Sequence, residues 1–186
     1  MDRTATYTAF ADESLIASGP LEKLLPVLKE KFDHKDCPLI LIFNDETGKQ
    51  VDFELRGTLE GVLAAAIPGK PVAGPGRPKL GVVSREISLL PRHWEWLEEQ
   101  PSGASAAIRR LVDDARKRDP SEQKVRLAKD ATGRFLSAMA GNRTGYEEAT
   151  RALYAGNMNR FQQLIRPWPK DIRRHAEAMA KSASPV

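Results

Sequence analysis

The sequence predicts an α+β protein: a small N-terminal ββαββα domain, a Pro/Gly linker, a ribbon-like strand-helix-helix segment, and a C-terminal bundle of short helices. Three observations carry this expectation. Before residue 67, short apolar runs separated by turn residues alternate with leucines at helical spacing. Prolines and glycines then crowd residues 68–78. Beyond them one short alternating stretch is followed only by helical periods, broken repeatedly by Pro and Gly.

Taken in order, Thr6 to Phe10 and Leu15 to Ala17 flank Ala11-Asp12-Glu13-Ser14, as two strands and a tight turn would. Ser18-Gly19-Pro20 opens a helix whose buried face is Leu21, Leu24, Leu25 and Leu28. Pro26 predicts a kink in that helix or a later start, because it removes a backbone donor and crowds the preceding turn. Leu39 to Phe43 is continuously apolar, as a central strand is, and Asn44 to Gly48 is a turn. Val51, Phe53 and Leu55 alternate with polar residues, predicting a half-buried strand. Thr58 caps a short helix ending near Ile67. The domain therefore spans 1–67, and residues 68–79 form a basic linker.

Residues 80–118 contain the alternating stretch and two helices. Residues 119–186 are helical: about Ser121 to Ala140, Gly145 to Ala155, Asn159 to Ile165 and Lys170 to Lys181. Gly133 is a soft spot in the first of these, and Pro167-Trp168-Pro169 breaks the third.

The net charge of +4 is unevenly spread. Residues 1–69 hold seven Lys/Arg against twelve Asp/Glu, whereas 70–118 hold ten against six and 119–186 twelve against seven. An acidic front offers a surface to another protein, and a basic rear offers one to a polyanion such as double-stranded DNA. The N-terminus lacks the apolar run of a secretory signal, and no stretch has the length of a membrane span. With Cys37 as the only cysteine, no intrachain disulfide forms. A cytoplasmic protein without membrane partners is expected.

The alternating stretch, Val83 to Leu89, leads through Pro91, suited to a first helical turn, into a helix with Trp94 and Leu97 on one face. Pro101-Ser102-Gly103 stops it, Ser105 caps the next helix, and Ile108, Leu111, Val112 and Ala115 form its stripe. Strand, helix, turn and helix in this order are the plan of a ribbon-helix-helix module, which pairs two copies and lays the paired strands in a DNA major groove. On that plan the homodimer interface is Val83, Ile87, Leu89, Trp94, Leu97, Ile108, Leu111 and Val112. The DNA-contacting residues are Arg77 and Lys79 before the strand, Ser84, Glu86 and Ser88 facing the bases, Arg92 on the first helix, and Ser105, Arg109 and Arg110 on the second. Three features depart from the plan. Glu86 would face a polyanion, Arg85 would point inward, and the loop between the helices is a residue or so short. A dimerisation module without DNA therefore stays open beside the regulator.

Nearly the whole chain resembles an uncharacterised bacterial family, domain of unknown function 2239. The resemblance rests on TYTAFA (6–11), GRPKLGVVSREISLLPRHWEWL (76–97), GASAAIRRLV (103–112), FLSAMAG (135–141) and EEATRALYAGN (147–157). It implies no known activity. In architecture alone, the order of domains is also similar to HicB-type antitoxins.

Catalytic chemistry is not evident. His34, His93 and His175 lie in separate segments, none with a His or Cys at metal-ligand spacing. Cys37, before Pro38 at the mouth of a strand, reads as a buried structural thiol. The sequence predicts no enzyme, no metal and no cofactor.

Overall fold

The computed structural model describes residues 5–34, 38–67, 83–118 and 120–183. The Pro/Gly linker, Arg77, Lys79 and Cys37 lie outside the described residues. The protein is a mixed α+β chain with four strands and eight helices among those residues, divided into two compact units.

The first unit joins residues 1–69 to residues 124–186. Its centre is an antiparallel sheet of β1 (Tyr7–Ala11), β2 (Ser14–Gly19), β3 (Ile40–Asn44) and β4 (Gln50–Val51), in the order β2-β1-β3-β4. Two of the strands are central, and both are covered on both faces. On one face Ala9 and Ile42 pack with Leu24, Leu25 and Leu28 of α1 (Leu21–Phe32) and Val62 of α2 (Leu59–Ala66). On the other, Phe10 and Phe43 enter a larger core made by α5 (Pro120–Ala140), α6 (Tyr146–Tyr154), α7 (Met158–Ile165) and α8 (Lys170–Lys181). Successive strand residues point to opposite faces, so a strand buried on both sides is apolar throughout, as Leu39 to Phe43 is.

The second face explains why the two ends of the chain form one unit. Phe10 and Phe43 meet Phe135 of α5 at ring-centroid distances of 5.6 and 5.1 Å. All three side chains are fully buried. The division read from the sequence, with 1–67 separate from 119–186, is thus corrected: the helices of the C-terminal region supply the sheet's second covering layer. Polar contacts hold the turns of the sheet to those helices. Arg143 pairs with Glu13 in the β1–β2 turn, Arg134 Nη1 donates to the Thr47 carbonyl in the β3–β4 turn at 2.7 Å, and the Leu15 N–H donates to Asp171 Oδ2 at 3.0 Å.

Local chemistry sets the element ends. Thr58 Oγ1 accepts from the Gly61 N–H at the start of α2, and Asn157 Oδ1 accepts from the Arg160 N–H at the start of α7. Asn44 Oδ1 accepts from the Glu46 and Thr47 N–H groups and so folds the β3–β4 turn. Two details differ from the sequence reading. α1 already begins at Leu21, with Pro26 inside it, so the helix does not start later than Pro26. Only Gln50 and Val51 pair with β3, while Phe53 and Leu55 keep their inward side without ladder bonds.

The second unit, residues 70–123, contains α3 (Pro91–Glu98) and α4 (Gly103–Arg118), which pack on each other. Residues 83–90 adopt no regular structure, so the strand expected over Val83–Leu89 is not present in the single chain.

Candidate functional site

The second unit is thinly packed. In residues 83–117 only Leu97, at 4% exposed, and Ala107 are deeply buried. Around them Ile87, Leu89, His93, Trp96, Leu97, Ile108 and Leu111 line an open groove of about 330 Å³. His93, Trp96 and Leu97 share one face of α3, Leu89 precedes the helix, and Ile108 and Leu111 answer them from α4. The groove is therefore apolar by design of both helices, with His93 its one ionisable lining residue.

The residues expected at a dimer interface are distributed as follows. Ile87, Leu89, Leu97, Ile108 and Leu111 come together in the groove. Val83, 70% exposed, and Val112, 52% exposed, lie open to solvent outside it. Trp94, placed with Leu97 by the sequence reading, does not line the groove, whereas Trp96 does, although Trp94 is 36% and Trp96 45% exposed. Sequence reasoning also missed Ala107, whose small side chain lets the helices approach. Its signal was the run of small residues Gly103 to Ala107.

Of the expected DNA contacts, Ser84, Glu86, Ser88 and Arg92 are all exposed. So is Arg85, and the alternation of inward and outward side chains expected over this stretch is not found in the single chain. Ser105 does not cap α4. The helix already begins at Gly103, whose φ of +72° is left-handed, and Ser105 lies in the first turn. Arg109 Nε donates to the Ser105 carbonyl at 3.1 Å. Arg110 Nη2 donates to Gln100 Oε1 at 3.3 Å. Both contacts are to neutral oxygens, so they orient the guanidinium groups without neutralising them.

Among the described residues, no three His, Cys, Asp or Glu side chains are grouped to hold a metal ion. No helix of the described residues is long and apolar enough to cross a membrane. Trp168, in the break after α7, is buried and its indole N–H donates to the Thr144 carbonyl at 3.1 Å.

No curated protein and no solved structure matches the chain. Comparison with protein families does find a match, over residues 6–180, to the family described as an uncharacterized protein conserved in bacteria, DUF2239. That span takes in both halves of the first unit and the whole of the second. The chain belongs to this bacterial family, DUF2239.

Proposed function

We propose that the chain acts as a homodimer, joined through residues 83–112 in the manner of a ribbon-helix-helix module, and that the paired module binds double-stranded DNA as a regulator does. The observation that carries the reading is the open groove between α3 and α4. Two short helices with so little buried surface do not make a self-sufficient core, and pairing two copies is a common remedy. A second copy brings the same apolar residues to the same face, and the 83–90 segments are then placed to pair antiparallel, with Ile87 turned into the shared core.

The DNA part rests on Arg92, Arg109 and Arg110, with Arg77 and Lys79 before the strand, and on the N–H groups of the first turn of α4. Its opposing term is charge balance. Residues 83–118 hold seven Lys/Arg and six Asp/Glu, and Glu86 lies among the base-facing positions. That balance favours a second reading, in which the module only joins two copies.

The test has two arms. Light scattering should give a dimer for the parent protein and a monomer for Ile87→Lys; a parent monomer sinks the association reading. Anisotropy with a mixed-sequence duplex should show binding that weakens steeply with salt. Arg109→Ala with Arg110→Ala should flatten the slope of log affinity against log salt by about two units per protomer. A dimer that leaves the duplex unbound at low salt keeps the association and removes the DNA.

A further inference from the structure

Of the three histidines, His175 alone packs against the core rings of the first unit. It projects from α8 between two phenylalanines, with ring centroids 5.6 Å from Phe10 and 4.6 Å from Phe135, both edge-to-face. Its Nε2 is buried without a hydrogen-bond partner. The nearest carboxylate is Asp45 in the β3–β4 turn, with Oδ1 3.7 Å away, beyond hydrogen-bond reach. That same oxygen already accepts the buried Thr8 hydroxyl at 2.7 Å, and the Asp45 N–H donates to the Thr6 carbonyl. The carboxylate is thus held by β1 and, where it stands, makes no hydrogen bond to the imidazole.

We propose that His175 is a proton-operated latch on the first unit: neutral, it seats α8 against the sheet, and protonated, it loosens α8 and uncovers Phe10 and Phe135.

The direction follows from which effect is larger. An imidazolium here would lose its hydration and gain no hydrogen bond at Nε2 from the neighbours it has. Burial pushes the His175 pKa down, and the Asp45 charge pulls it back up by less, so the net shift is downward. Several charged groups on α8 and on the segments that meet the sheet's turns have partners of their own. Arg134 donates to the Thr47 carbonyl, Arg143 pairs with Glu13, Arg173 donates to the Arg166 carbonyl, and Asp171 accepts from Leu15. Glu177 is paired on α8 itself with Arg173. With a depressed folded pKa, the unfolded or loosened chain binds more protons than the seated one. The seat is at full strength above the ordinary histidine value of about 6.5 and weakens as pH falls below it, until His175 is protonated in the folded state as well. Loosening also frees the Leu15 N–H, which Asp171 of α8 holds on β2, an edge strand.

Hydrogen exchange of the α8 amides in the intact chain, corrected for intrinsic rates, is the test. Protection should be lower at pH 5.5 than at pH 7.5, by up to about tenfold for each unit by which the fold depresses the pKa. His175→Phe keeps the aromatic packing and cannot titrate, so its α8 should be equally protected at both pH values. The imidazole resonance of the unaltered protein, followed by NMR, provides a reading that depends on no variant and should titrate below 6.5. Equal protection of the parent at both pH values would overturn the latch. So would a pH response that survives in His175→Phe, or an imidazole that titrates at or above the ordinary value.

Discussion

Gly48 sits in the β3–β4 turn with φ +64°. A Cβ there would lie 1.9 Å from the carbonyl oxygen of Ala131 in α5, and 2.6 Å from its carbonyl carbon. Both are backbone atoms in the middle of a helix, so no rotamer change relieves the clash. Gly57 is the natural control. Its φ is +87°, and a Cβ there meets nothing within 4 Å. Gly57→Ala should therefore cost only the left-handed backbone strain, about 1–2 kcal/mol. Gly48→Ala bears the same strain and must also push the turn off α5, adding about 1–3 kcal/mol or more as overpacking does. Urea unfolding of the two variants, compared at a common slope, isolates the second term. If the two lose the same stability, the β3–β4 turn is not seated on α5, and the joining of residues 1–69 with 124–186 is wrong.

Two further outcomes concern the same unit. Phe135→Ala should lose about 3–5 kcal/mol in chemical denaturation, because the ring is fully buried against Phe10, Phe43 and His175 and its removal leaves a cavity; a loss below 1 kcal/mol would mean the ring has no such surroundings. Asn157→Ala should cost about 1 kcal/mol by removing the α7 cap, with Asn157→Asp restoring most of it; equal stability of the two variants would show that the side chain does not cap.

Much of the fold was legible because local rules dominate it. Thr58 and Gly141-Asn142 mark helix ends through the backbone geometry they favour, and α2 and α5 begin and end close to where those signals stand. The leucines at 24, 25 and 28 show the helical period without help from distant residues. What joins the two ends of the chain is another matter. Phe10 and Phe43 were visible as apolar strand residues, but a strand covered on one face and a strand covered on both differ only in what lies on the far side. Phe135 is more than 90 residues on from Phe43, too remote for any local period to register. At the candidate site the stripe was legible but its phase was not. Trp94 and Trp96 are two residues apart on α3, about 200° around the helix axis, so only one of them can face the groove. Trp96 shares the groove with Ile108 and Leu111 of the opposing helix, a neighbourhood that α3's own period does not show.

The way the chain is divided bears on what the groove can do. The sheet's second face is completed only by residues 124–186, so the first unit closes its core with chain drawn from both sides of the second. In sequence, the second unit lies between the two stretches that make the first. The consequence separates fold from association. Changes in the first unit, such as Gly48→Ala, should lower stability wherever the groove residues are left intact. Changes in the groove, such as Ile87→Lys, leave every side chain of the first unit's core untouched. They should act on the oligomeric state far more than on the unfolding of the body that carries them.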